Sequence, residues 1–100
     1  MRIHFERSGG VTGIPIKATI DSQTLTDEET QRLQELIEAV DFFDLPAHLI
    51  ETSPLGGDQF YYIVTIADKG QANTIKTTDA AAPADLRPLL HQLTILARQA

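Results

Sequence analysis

The sequence predicts a single α+β domain over residues 1–100, ordered ββαββα, with a four-stranded antiparallel sheet and both helices packed on one of its faces. Two observations carry this. Several segments alternate apolar and polar residues with the period of two that a half-buried strand requires. Two others place leucine and isoleucine on one helical stripe, and a helix with a single stripe needs a shared apolar surface to cover it.

Ile3 and Phe5 alternate with Arg2, His4 and Glu6, which marks a first strand over residues 2–7. Gly9, Gly10 and Gly13 form a glycine-rich connection, and Ile16, Ala18 and Ile20 alternate with Lys17, Thr19 and Asp21 after it, so the pair reads as a hairpin. Thr26 precedes Asp27-Glu28-Glu29, the signature of a capping box whose acids favour the positive end of a helix dipole. Leu33, Leu36, Ile37 and Val40 follow at helical spacing, which predicts a helix over about 27–40. Residues 41–57, with two prolines and two glycines, make a long connection containing a short helical turn. Phe60, Tyr62, Val64 and Ile66 define a strand over about 59–67, Asp68-Lys69-Gly70 a hairpin turn, and the threonine-rich residues 71–78 a less buried partner strand. Pro83 opens the way to a last helix with Leu86, Leu89, Leu90, Leu93 and Leu96 on one face and Pro88 near its start.

Composition excludes several functions. Zero cysteines remove disulfide scaffolds, thiolate metal sites and cysteine nucleophiles, so stability rests on packing. The net charge of −6 argues against nucleic-acid binding, which needs a lysine and arginine surface. That charge is local: residues 21–58 hold ten acids against Arg32 alone, while the rest of the chain is net positive by three. No run of about 18 apolar residues and no secretory signal is present, so a soluble cytoplasmic protein with no membrane contact is expected. His4, His48 and His91 fall in a strand, a connection and a helix without ligand spacing, so no metal or other cofactor is expected. Ser8, Ser22 and Ser53 lack a nucleophile motif, and the glycines lack the Lys-Ser/Thr of a phosphate loop. The chain therefore reads as a protein-binding module and not as an enzyme. Candidate contact residues are Gly10, Val11, Thr12, Gly13, Ile14 and Pro15 in the hairpin connection, with Phe42, Phe43, Asp44, Leu55 and Asp58 in the long one. Of these, Val11 and Leu55 sit amid glycine and proline, where core packing is hard, whereas Phe42 and Phe43 follow an amphipathic helix, a place where aromatics close the end of a core.

Ile3-His4-Phe5-Glu6-Arg7-Ser8-Gly9-Gly10, the following Gly13-Ile14-Pro15, Asp41-Phe42-Phe43-Asp44-Leu45-Pro46, the Asp58-Gln59-Phe60-x-Tyr62 strand start and Leu86-Arg87-Pro88-Leu89-Leu90 together resemble the emfourin family over roughly residues 2–93. Asp41 stands where the family pattern has glycine, and His91-Gln92 where it has an aromatic and apolar pair. The resemblance implies inhibition of a thermolysin-like zinc metallopeptidase such as protealysin. Separately, the chain is expected to be a monomer when free. A physical route follows from Ile14-Pro15: a bulky apolar side chain enters the cleft, and the proline, lacking an N–H, denies the peptidase a substrate-like hydrogen bond. Alternatively, a carboxylate of Asp41, Asp44 or Asp58 approaches the zinc. The rival reading is a non-inhibitory binding module or regulatory subunit that uses the open sheet face, where Tyr61 and Ile63 are expected.

Overall fold

A computed structural model describes residues 1–10, 14–49 and 59–99. Its elements are β1 (Arg2–Gly9), β2 (Ile16–Asp21), a 3₁₀ turn (Ser22–Thr24), α1 (Asp27–Ala39), a second 3₁₀ turn (Phe42–Asp44), β3 (His48–Leu49), β4 (Phe60–Asp68), β5 (Gln71–Thr78) and α2 (Arg87–Gln99). The strands form one sheet in the order β2-β1-β4-β5-β3. All neighbours are antiparallel except β3, which runs parallel to β5.

The sheet is thus five-stranded and mixed, which corrects the expectation of four antiparallel strands. β3 is two residues long, too short to show a period. It is held by the Lys76 amide donating to the Ala47 carbonyl at 2.9 Å and by the Thr77 hydroxyl donating to the Leu49 carbonyl at 2.9 Å. This contact pairs part of the edge that β5 would otherwise leave open. The two long strands that meet at the centre, β1 and β4, carry the most regular alternation, and their buried residues Ile3, Phe5, Val64 and Ile66 form the middle of the core.

Both helices bury their stripes against this face. Leu33, Leu36 and Ile37 of α1 and Leu89, Leu90, Leu93 and Leu96 of α2 join the strand residues in one apolar cluster. The opposite face is polar. There His4 bonds Thr19 at 3.0 Å, Thr65 bonds Thr74 at 2.9 Å and Lys17 pairs with Glu6 at 3.6 Å.

The start of α1 is set locally. The Glu29 amide donates to the Thr26 hydroxyl at 3.1 Å and the Thr26 amide donates to Glu29 Oε1 at 3.0 Å, so two amides without helical acceptors are satisfied reciprocally. Thr26→Ala is expected to cost about 1 kcal/mol in a denaturant titration, and Thr26→Ser to restore most of it. At the other end Asp41 takes a left-handed conformation, φ 49° and ψ 54°, the region glycine enters without steric cost. α2 begins later than Pro83 suggests, at Arg87. The Leu86 amide first bonds the Pro83 carbonyl at 3.0 Å, and Pro88 then occupies a first-turn position that needs no amide donor.

Candidate interaction surface at the hairpin end

The Gly9-Gly10 pair is a packing device as much as a turn. Both have positive φ, 88° and 73°, and both lie against aromatic rings of the neighbouring strand β4. A Cβ on Gly9 would come 2.8 Å from the Gln59 carbonyl oxygen and 3.1 Å from the Tyr61 ring, and one on Gly10 would come 2.5 Å from the Phe60 ring. Only glycine admits both rings here. The Gly10 amide also donates to the Gln59 carbonyl at 3.4 Å, which carries the pairing of β1 and β4 to the very end of the strand.

Phe60 is gripped from a second side, because the Arg7 guanidinium lies 4.1 Å from its ring centroid in a cation–π contact. Its backbone is tied to the end of β5: the Phe60 amide donates to Asp79 Oδ2 at 2.9 Å, and the Asp79 amide donates back to the Phe60 carbonyl at 3.2 Å. The other oxygen, Asp79 Oδ1, accepts the Tyr62 hydroxyl at 2.8 Å. Burial, reinforced by this hydrogen bond and by the charge of Asp79, pushes the Tyr62 phenol up from 10.0 to about 12, while Arg7 opposes the rise. A group whose pKa is raised by folding stabilises the protein fully below its unfolded pKa and loses that contribution as pH climbs to the folded value. The stability advantage of the wild type over Tyr62→Phe, about 1–2 kcal/mol below pH 10, is therefore expected to shrink between pH 10 and about 12. Chemical denaturation of the two proteins across that window checks it.

This end of the sheet presents the hairpin connection. Ile14 is 72% exposed, the most exposed large apolar side chain among the described residues, and Pro15 beside it is exposed too. β2 begins at Ile16, paired with Arg7, so Ile14 stands just outside the strand on a braced base. Gly10 is half-buried on Phe60. Val11, Thr12, Gly13, Leu55 and Asp58 lie outside the described residues. Tyr61, 45% exposed, and the half-buried Ile63 do occupy the polar sheet face.

The remaining candidates are elsewhere. Phe42 has no exposed surface, so its side chain is a core residue and not a contact residue. Phe43 is half-buried against it with an edge-on ring at 5.8 Å, and Asp44 is exposed. Asn73 of β5 fixes this turn by donating from Nδ2 to the Phe42 carbonyl at 2.9 Å and the Leu45 carbonyl at 3.0 Å. Asn73 is five residues from Thr78, the β5 residue that reaches the hairpin end, so the turn sits roughly 17 Å along the strand from it. The structure therefore separates Phe43 and Asp44 from Ile14 and Pro15. Asp41, at the start of the same turn, is likewise remote from Ile14. By contrast the flanks of residues 50–58 both lie at the hairpin end, Leu49 beside Thr77 and Gln59 beside Gly10.

Arg7 and Asp79 escape a motif search. Arg7 did carry a signal, because it shares the inward parity of Ile3 and Phe5 and a charge at such a position needs partners. Among the described residues no three His, Asp or Glu side chains converge as metal ligands, and no helix is long and apolar enough to cross a membrane.

No curated protein and no solved structure matches the chain significantly. The family model described as Emfourin matches residues 5–94, from the middle of β1 through most of α2, and includes the glycine pair, Ile14-Pro15 and the Asp79 anchor. With nine-tenths of its length matched, this chain belongs to the emfourin family.

Proposed function

We propose that this protein inhibits thermolysin-like zinc metallopeptidases in the cytoplasm by seating the hairpin connection in the active-site cleft without being turned over. Family membership suggests a protease-inhibitor role. The observation that carries the finer reading is the exposure of Ile14 beside Pro15 on a base clamped by Arg7, Phe60 and Asp79. Flanks held in place before binding lower the ordering cost that offsets the burial of an apolar side chain. Proline at residue 15 withholds a backbone donor that a productive substrate would supply. The acidic stretch 21–58 favours encounter with a basic surface.

The polar sheet face supports the rival binding-module reading less well, because threonine and charged side chains there are largely paired with one another. Titration against a panel of thermolysin-like peptidases, with size exclusion of the mixtures, tests the proposal. The expected result is loss of peptidase activity, a stoichiometric complex and recovery of the intact chain. Full activity across the panel would overturn it.

A further inference from the structure

On the helix-covered side of the same sheet end, a cavity of about 400 Å³ opens between the strands and the start of α2. Arg7, Arg87 and His91 line it, together with Tyr62, Asp79 and Leu90. We propose that this cavity binds a multivalent oxyanion, either a phosphate group or a small polycarboxylate.

In a chain of net charge −6, two of its eight Lys and Arg side chains and one of its three histidines face one cavity. The lining carboxylate, Asp79, offsets one of the two guanidinium charges and leaves the other uncompensated within the lining; its oxygens are directed to the Tyr62 hydroxyl and the Phe60 amide. Among the described residues neither guanidinium has a carboxylate within ion-pair distance. Asp85, just ahead of α2, is not part of the lining.

Both arginines are also held in place before any ligand arrives. Arg7 is fixed on the Phe60 ring. Arg87 donates from Nε to the Ala82 carbonyl and from Nη2 to the Asp79 carbonyl, each at 3.4 Å. A guanidinium has five N–H donors, so Arg87 retains three for a ligand, and Arg7, with its face on the Phe60 ring and part of its edge beside the Tyr62 hydroxyl, keeps its remaining donors. Such pre-ordered forks suit the planar, bidentate recognition of phosphate and carboxylate oxygens. The helix adds to this. The first turn of α1 contains three acids that complement its dipole, whereas the first turn of α2 contains none and its first residue, Arg87, borders the cavity. Leu90 provides an apolar wall for the carbon skeleton of an organic anion. A monovalent ion gains too little here against the overall negative field, which is why the site selects multivalent ones.

The test is a two-dimensional amide NMR titration with inorganic phosphate and, separately, with citrate, each matched in ionic strength by sodium chloride. Saturable shifts confined to Arg7, Asp79 and the Arg87–His91 turn are expected with one or both anions, and the tighter of the two assigns the class. Arg87→Gln is expected to weaken binding at least about tenfold. His91→Gln, at an exposed position, is expected to weaken it severalfold and serves if Arg87→Gln does not fold. Shifts that follow chloride without saturating, or saturable binding undiminished in these variants, would overturn the proposal.

Discussion

Ile14→Asp is expected to weaken inhibition of a thermolysin-like peptidase by at least about a hundredfold, the scale of losing a central apolar anchor and forcing a charge into an apolar subsite. The same substitution leaves folding almost untouched, because the side chain is 72% exposed and stands outside the strand. Exposed positions of this kind change stability by no more than about 0.5 kcal/mol. Inhibition constants and thermal melts of the same preparations separate the two effects. Pro15→Ala refines the result, since restoring an amide donor next to Ile14 is expected to let the peptidase cleave the chain at this point, visible as fragments by mass spectrometry. Unchanged potency for Ile14→Asp would exclude the hairpin connection as the contact.

Phe42→Ala is expected to have the largest effect on stability, a loss of about 3–5 kcal/mol, because a fully buried ring leaves a cavity that the surrounding core cannot close. For a chain of this size such a loss lowers the melting temperature by about 15–30 °C. Phe43→Ala is expected to cost less than half as much, since Phe43 is only partly covered. At a temperature where Phe42→Ala remains folded, its inhibitory potency is expected to equal that of the wild type, because Phe42 lies at the far end of the sheet from Ile14. A selective loss of potency in the folded variant would return Phe42 to the contact surface.

These outcomes bear on how much the residues alone disclose. Strand and helix identities are local properties, and they were legible. The alternation of Ile3 with Phe5, the alternation of Tyr62, Val64 and Ile66, and the Thr26–Glu29 capping box each follow from contacts within a few residues or from one buried face. β3 was not legible, because its two residues are strand only by virtue of Lys76 and Thr77 on a neighbouring strand. The glycine-rich connection is legible as a turn, yet its second role, room for the Tyr61 and Phe60 rings, appears only when β4 lies alongside β1.

The candidate site divides in the same way. An exposed Ile14 and a buried Phe42 look alike as isolated apolar residues near turns, and only burial in the folded chain tells them apart. The Arg7–Phe60 contact and the Asp79 anchor join residues that are 53 and 19 positions apart, beyond the reach of any local pattern. By itself, then, the sequence determined the helices, the long strands, the shared buried face and the family, since periodicity, capping and ordered motifs are written residue by residue. Tertiary structure alone decided that the sheet has a fifth strand, that Phe42 belongs to the core and that the hairpin end carries the Arg7–Phe60–Asp79 anchor next to two arginines with no ion-pair partner among the described residues. The physical reason is that burial and charge compensation depend on neighbours brought together by folding, and sequence separation does not encode those neighbours.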